Sequence, residues 1–173
     1  MTERKTTIPM LAIGLLIMVG GCSANGETDK ADTLAKSVKR GEYLVRVGAC
    51  NDCHTPGYLM SEGKTPVKEW LIGDSVGWRG PWGTTYAQNL RLRFQDFSSA
   101  KEWIEYSHAM RPLPPMAWFN VNAMTDEDLT AIYDFIRWLG PAGKQPPQFV
   151  PVSETPAGPV VQFPMGPPQA KAE

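Results

Sequence analysis

The sequence predicts a helical domain with long ordered loops, followed by an extended, proline-rich C-terminal tail. Apolar residues recur at helical spacing in segments that begin near residues 32, 98 and 125. Residues 55–90 contain many glycines and prolines, which exclude a long regular element, and many aromatic side chains, which indicate a loop folded against the domain. Nine of the sixteen prolines fall in residues 141–173, so we expect neither helix nor central strand there.

Residues 1–21 have the features of a bacterial export signal. Arg4 and Lys5 precede an apolar run over residues 8–19, which is shorter than the ~20 residues that a membrane-spanning helix needs. The run is followed by Gly-Gly and then Cys22, a pattern that resembles the lipobox of bacterial lipoproteins. We therefore expect cleavage before Cys22, which would become the lipid-modified N-terminus of the mature chain.

Two alternatives for this segment stay open. An ordinary cleaved signal would leave Cys22 without a role, and a short uncleaved anchor would retain the apolar run. All three interpretations place the body of the protein outside the cytoplasm, on the periplasmic side of a bacterial membrane. Residues 22–31 are small and polar, as a tether between membrane and domain should be.

The first predicted helix begins at Asp32, the start of a domain that we place at residues 32–140. Gly41 interrupts this helix at a cost of about 1 kcal/mol relative to alanine, and therefore indicates the close approach of another backbone. A tolerated surface glycine is the alternative. The apolar stripe of this helix consists of Leu34, Val38, Tyr43, Leu44 and Val47.

A C-x-x-C-H motif follows this helix, formed by Cys50, Cys53 and His54. Two thiols three positions apart lie on one side of a helical turn, and both can bond to one edge of a porphyrin. The adjacent imidazole can then bind the iron, so the motif predicts one covalently attached c-type haem. A redox dithiol would need a βαβ setting, and a zinc site would need a second ligand pair at short spacing. Neither is visible in the sequence.

Two further helices are predicted from their caps. Ser99 and Glu102 have capping-box spacing at the start of a helix over about residues 98–110, in which each side chain would satisfy the other's free backbone N–H. Thr125 is a favoured N-cap residue and is followed by three acidic residues, which the helix dipole favours in a first turn. This last helix should end at Gly140, which precedes a proline.

The candidates for a sixth iron ligand are methionines later in the chain and His108. Met116 follows two prolines in an extended segment, which can lie along the distal haem face at little entropic cost. It is the preferred candidate, with His108 or no protein ligand as the alternatives. Histidine and methionine ligation gives the six-coordinate iron of an electron carrier and raises its potential. The other methionines that we considered are Met60, Met110 and Met124.

Residues 35–140 resemble a class I cytochrome c, with C-x-x-C-H near the start and an isolated methionine before a C-terminal helix. The stretches PWGTTYAQNL (residues 81–90), Pro115-Met116 and MTDEDLTAIY (residues 124–133) further resemble haem domains in the cytochrome subunits of bacterial membrane-bound alcohol and gluconate dehydrogenases. The resemblance implies an all-α cytochrome c fold around one haem. It also implies that the helix containing Gly41 crosses the C-terminal helix near Tyr133.

Two departures from that family are visible. The family has a proline before the Asn-Leu pair, and the carbonyl of that proline accepts a hydrogen bond from the haem histidine. Gln88 stands there in this chain, and any residue can offer a carbonyl. The multihaem subunits carry three such domains, whereas this chain has one C-x-x-C-H motif.

The expected function is single-electron transfer by a lipid-anchored monohaem protein that is not an enzyme. Its partners would be a redox donor and a redox acceptor, both unidentified, and a membrane contacted through Cys22. The formal net charge of −1 and the absence of charge runs give no indication of nucleic acid as a partner. The alternatives are a non-catalytic haem subunit of a dehydrogenase or oxidase, held by the tail, and an open-iron enzyme such as a peroxidase.

Overall fold

The computed structural model describes residues 25–164. The predicted signal segment, Cys22 and the last nine residues of the tail lie outside this range. No helix in the described range has the length and apolar character required to cross a membrane. The helices are α1 Asn25–Val47, α2 Cys50–His54, α3 Leu90–Arg93, α4 Ala100–Ala109, α5 Trp118–Asn122 and α6 Asp126–Leu139, with a 3-10 turn at Val67–Glu69. The strands are β1 Gly77–Gly80, β2 Gly83–Tyr86 and β3 Val160–Gln162.

The expectation of an all-α cytochrome c fold is wrong, because a three-stranded mixed sheet accompanies the helices. Its order is β2-β1-β3, with β1 antiparallel to β2 and parallel to β3. Strands β1 and β2 form a hairpin within the predicted loop region, where Trp78, Thr84, Thr85 and Tyr86 supply side chains that favour strands. Strand β3 comes from the tail and adds to the outer edge of β1. The domain is therefore a helical body with a small sheet beside it.

Gly41 lies where α1 crosses α6, as the sequence predicted. A Cβ atom at Gly41 would lie 2.0 Å from the carbonyl oxygen of Ala131 and 2.6 Å from the Cβ of Phe135. The two backbones can approach this closely only because position 41 has no side chain. The core forms around this crossing from buried residues that include Val45, Leu129, Phe135 and Ile136.

Helix α1 begins at Asn25, seven positions before the predicted start at Asp32, so part of the expected tether is helical. Residues 27–36 of this helix are exposed, and they lie before the crossing with α6. Local bonds support them: Thr33 donates to the carbonyl of Asp29 at 2.8 Å, and Lys36 pairs with Asp32 at 2.6 Å. The polar composition that indicated a tether is therefore also compatible with a solvated helix end.

The predicted caps of the last two long helices are present, with one change of partner. Thr125 accepts a hydrogen bond from the backbone N–H of Asp128 at the start of α6. Ser99 accepts from the N–H of Glu102 at the start of α4, but the Glu102 carboxylate accepts from the N–H of Ser98 rather than from Ser99. One of the two bonds of the predicted capping box is therefore present, and in the other the carboxylate of Glu102 binds the N–H one residue earlier than predicted.

Aromatic side chains of the loop region between α2 and α3 pack into the core, as the composition of this region predicted. Trp70 is 1% exposed and its ring meets those of Tyr58 and Phe135 edge to face. The indole N–H of Trp70 donates to the carbonyl of Thr65 at 2.8 Å. The loop thus completes one side of the core rather than crossing solvent.

Candidate cofactor-attachment site

The C-x-x-C-H motif forms its own short helix at a sharp turn. Helix α1 ends at Val47, and Ala49 adopts a left-handed conformation (φ 58°, ψ 22°) before α2 begins. The two cysteines therefore stand one turn apart on α2, and His54 closes the helix. Both thiols are free and partly buried. This is the arrangement that covalent attachment of a porphyrin edge requires.

The thiols are not activated as redox thiols are. Burial raises the pKa of the Cys50 thiol to about 11, and burial together with Asp52 and Asp74 raises the pKa of Cys53. Reactive dithiols depend on a lowered pKa and a thiolate at neutral pH. The environment of α2 therefore disfavours the redox-dithiol interpretation of the motif.

His54 is buried and its ring is held by a backbone carbonyl. Its Nδ1 lies 2.7 Å from the carbonyl oxygen of Gln88. A carbonyl can only accept, so Nδ1 carries the proton in this contact. Burial lowers the pKa of His54, and the opposing effect of the Gln88 carbonyl is smaller, so the ring is neutral. Its Nε2 then has a free lone pair, which is the form in which imidazole binds a metal. The expectation that Gln88 supplies this carbonyl is confirmed.

The backbone of His54 is held from a second direction. Its carbonyl accepts a hydrogen bond from the N–H of Gly73 at 2.9 Å. Gly73 has φ +79°, and a Cβ there would lie 2.8 Å from both the Ala87 carbonyl oxygen and the Asn89 nitrogen. The loop around Gly73 and the segment through Gln88 therefore touch each other and hold His54 between them.

A buried polar chain that sequence reasoning missed supports the other side of α2. Thr55 donates to the side-chain oxygen of Asn51 at 2.8 Å and accepts from the backbone N–H of Leu71 at 2.8 Å. The amide nitrogen of Asn51 is buried and has no hydrogen-bond partner among residues 25–164. The sequence signal for this chain was the position of two polar residues, Asn51 within the motif and Thr55 directly after it. This chain ties α2 to the loop that carries Gly73.

Met116 lies partly buried in the connection between α4 and α5. Two residues earlier, the carbonyl of Pro114 accepts a hydrogen bond from the Thr85 hydroxyl at 2.7 Å. The segment that carries Met116 therefore lies against β2, whose chain continues to Gln88. Coordination by Met116 itself stays a prediction.

The competing methionines have other surroundings. Met60 is 90% exposed, and Met110 ends α4 as its C-cap residue. Met124 packs against the edge of the core beside Gly48, at the junction of α1 and α2. Core packing explains Met124 without a ligand role.

His108 is committed to other partners. Its Nδ1 lies 3.0 Å from the carbonyl oxygen of Asn122, and its Nε2 lies 2.9 Å from a carboxylate oxygen of Asp126. The hydrogen bond to Asp126, and after it the one to Asn122, raises the pKa of His108. Both ring nitrogens face acceptors, so this arrangement leaves no lone pair for iron. The His108 alternative for the sixth ligand is therefore disfavoured.

Two side chains of the β1–β2 hairpin, Arg79 and Trp82, contact the tail. Arg79 donates to the carbonyls of Val152 and Glu154 at 3.1 and 3.0 Å. The Trp82 ring meets that of Phe163 edge to face, with centroids 5.2 Å apart. These contacts are sufficient to explain why both side chains occupy their positions.

The residues present fit a covalently attached haem. Two neutral thiols one turn apart and a neutral, oriented imidazole supply the donors that such attachment needs. Within residues 25–164, no three His, Cys, Asp or Glu side chains are grouped to hold a metal ion. No protein-family model, no curated protein and no solved structure matches this chain.

Proposed function

We propose that this protein is a lipid-anchored monohaem c-type protein that carries single electrons on the periplasmic side of a bacterial membrane. The observation that supports the proposal most strongly is the His54 imidazole beside the paired thiols, held through Nδ1 by the Gln88 carbonyl at 2.7 Å. In this state the Nε2 atom of the imidazole has a lone pair that it can donate to a metal.

Each residue of the site has a defined role in this proposal. Cys50 and Cys53 bond the porphyrin, His54 binds the iron through Nε2, and Met116 supplies the opposite ligand. The bound haem supplies the one-electron redox couple. The chain holds the imidazole in one orientation through Gln88 and excludes water from it by burial. Cys22 anchors the chain to the membrane, and the partners are a redox donor and a redox acceptor.

Two alternatives are less well supported. A haem subunit held in a larger complex by its tail would need a tail free to bind a partner, but the tail pairs with β1 and contacts Arg79 of its own chain. An open-iron enzyme would need a distal acid or base. His108, the only other histidine in the sequence, is paired with Asp126.

The proposal is tested by the intact mass and spectrum of the protein, produced in a bacterium that attaches c-type haem. We expect one covalently bound haem per chain and reversible one-electron reduction. A Cys50→Ala, Cys53→Ala double variant should carry no covalent haem, whereas Ser61→Ala, outside the motif, should retain it. A wild-type protein that leaves the same host without covalent haem would refute the proposal.

A further inference from the structure

The buried side chain of Asn89 joins the first residues of the C-terminal tail to the segment beside His54. Asn89 directly follows Gln88, and its amide nitrogen donates to the tail carbonyls of Ala142 and Lys144 at 2.8 and 3.3 Å. Its side-chain oxygen accepts from the N–H of Leu92 at 3.0 Å and caps α3. Asn89 is fully buried, and both polar atoms of its side chain have hydrogen-bond partners. The residue next to the partner of His54 is therefore attached to the tail.

The tail backbone also touches the second support of His54. A Cβ at Gly143 would lie 3.0 Å from the Asn89 amide nitrogen and 3.0 Å from the Cβ of Ile72. Ile72 precedes Gly73, whose N–H donates to the His54 carbonyl. Gly143 therefore contacts Asn89 and Ile72, the residues next to Gln88 and Gly73 in the chain. Gln88 and Gly73 are the two residues that hydrogen-bond His54.

The tail is held in this place by contacts further along its length. Thr84 and Val150 exchange two backbone hydrogen bonds at 2.7 and 3.0 Å, on the outer edge of β2. Strand β3 then pairs with the outer edge of β1, with Phe163 donating to the Arg79 carbonyl at 2.7 Å. The tail thus covers both edges of the hairpin that leads to Gln88. These contacts prevent the tail from moving away from Asn89.

We propose that residues 142–144 of the tail position the His54 imidazole, and that Asn89 is the positioning residue that connects them. This inference rests on the proposed function, because it concerns His54 as an iron ligand. A hydrogen bond from Nδ1–H makes the imidazole a stronger electron donor and stabilises oxidised iron. The tail therefore sets the strength of the Gln88 contact and, through it, the reduction potential.

Two variants without charge change test the proposal. Asn89→Ser removes both amide donors, while its hydroxyl can still cap α3, since serine is a favoured N-cap residue. Gly143→Ala places a methyl group against Asn89 and Ile72. Gly140→Ala is the matched control, because Gly140 has nearly the same φ (+69° against +72°) but nothing within 4 Å of an added Cβ. Both glycine variants place alanine at a positive φ and so introduce backbone strain. Only Gly143→Ala also places a methyl group against Asn89.

Two quantities are measured, the midpoint potential of the haem-loaded protein and the exchange rate of the His54 Nδ1 proton by NMR. We expect both variants to show a higher midpoint potential and proton exchange at least about tenfold faster than wild type. Gly140→Ala should match wild type in both. Unchanged values in both variants would overturn the proposal, as would an equal shift in Gly140→Ala, which would indicate general destabilisation. If one variant does not fold, the other decides by the same criteria.

Failure of this inference can be distinguished from failure of the proposed function. A purified wild-type protein without covalent haem would refute the function, but proton exchange at His54 needs no iron. In that protein, faster exchange in Asn89→Ser and Gly143→Ala would still support positioning by the tail. Exchange at the wild-type rate would refute it.

Discussion

Gly41 and Ala131 bring α1 and α6 together so closely that a Cβ on Gly41 would lie 2.0 Å from the Ala131 carbonyl oxygen. The obstacle is backbone, with the Cβ of Phe135 at 2.6 Å beside it, so a side-chain rotation cannot relieve it. The crossing of the two helices therefore depends on a single absent methyl group.

Gly41→Ala should therefore lower the free energy of unfolding, even though alanine is the better helix former. Intrinsic propensity would favour alanine by about 1 kcal/mol, but forcing α1 and α6 apart should cost about 3 kcal/mol. Urea denaturation measures the difference. Lys39→Ala, on the exposed side of the same helix, is the control and should stay near wild type. A Gly41→Ala protein as stable as wild type would contradict the observed crossing.

Met116→Ala should open the distal side of the iron. The expected results are binding of carbon monoxide, a lower potential and loss of the weak charge-transfer band that an iron–methionine bond gives in the oxidised protein. Folding stability should fall by roughly a few kcal/mol, as in metal-coupled folding. Haem should remain attached, because the bonds proposed for Cys50 and Cys53 would be covalent.

Met60→Ala is the control for this substitution, because Met60 is 90% exposed. It should keep the charge-transfer band and exclude carbon monoxide. A band that is absent from wild type, or that survives in Met116→Ala, would show that Met116 is not the ligand.

Cys22→Ala should release the protein from the membrane. The short apolar run before Gly-Gly-Cys predicts lipid on Cys22, although this residue lies outside the described range. The variant should appear as a soluble haem protein or as an unprocessed precursor, and intact mass of the membrane-bound wild type should show the lipid. A mature wild-type chain with an unmodified Cys22, or lacking it, would exclude the anchor.

The pair between His108 and Asp126 should make stability depend on pH. The pKa of His108 is raised in the folded protein, first by the hydrogen bond to Asp126 and then by the Asn122 carbonyl. A raised folded-state pKa means that the stabilisation is fully present below the unfolded pKa of about 6.5. It is lost as the pH rises through the folded value. Arg111 donates to the side chain of Asn122, and Glu127 and Asp128 follow Asp126 in the first turn of α6.

Denaturation of wild type and His108→Gln from pH 5 to pH 9 measures this contribution. The stability advantage of wild type should be largest at the acidic end and should shrink with rising pH. NMR titration of the ring should give a folded pKa above the ordinary value. An advantage that grows with pH would have the wrong sign for this pair.

The parts of the structure that sequence alone predicted are those with a local physical cause. Thr125 caps α6 because its hydroxyl reaches an N–H three residues on, and both residues are visible in one short stretch. Gly41 interrupts an apolar helical face, which is a local signal of close backbone contact. The C-x-x-C-H motif is likewise contained in five consecutive residues. Each of these needed only the spacing of residues along the chain.

Other features required the folded chain, because their partners are far apart in sequence. Strand β3 pairs with β1 across 83 positions, and three or four residues in each strand are too few for a periodic signal. The sequence therefore predicted the tail only as an extended, proline-rich segment, without the strand that it contains.

Buried Arg91 is a second such feature. It donates to the carbonyls of Lys68, Leu139 and Gly140 and so caps the end of α6, although nothing beside it in the sequence indicates a partner. Sequence by itself thus determined the three long helices, with the N-caps of two of them, and the C-x-x-C-H motif, but not the β1–β2 hairpin. Apart from the Gln88 carbonyl, which the resemblance implied, only the tertiary structure decided what surrounds His54, because buried backbone groups must find hydrogen-bond partners wherever the fold places them.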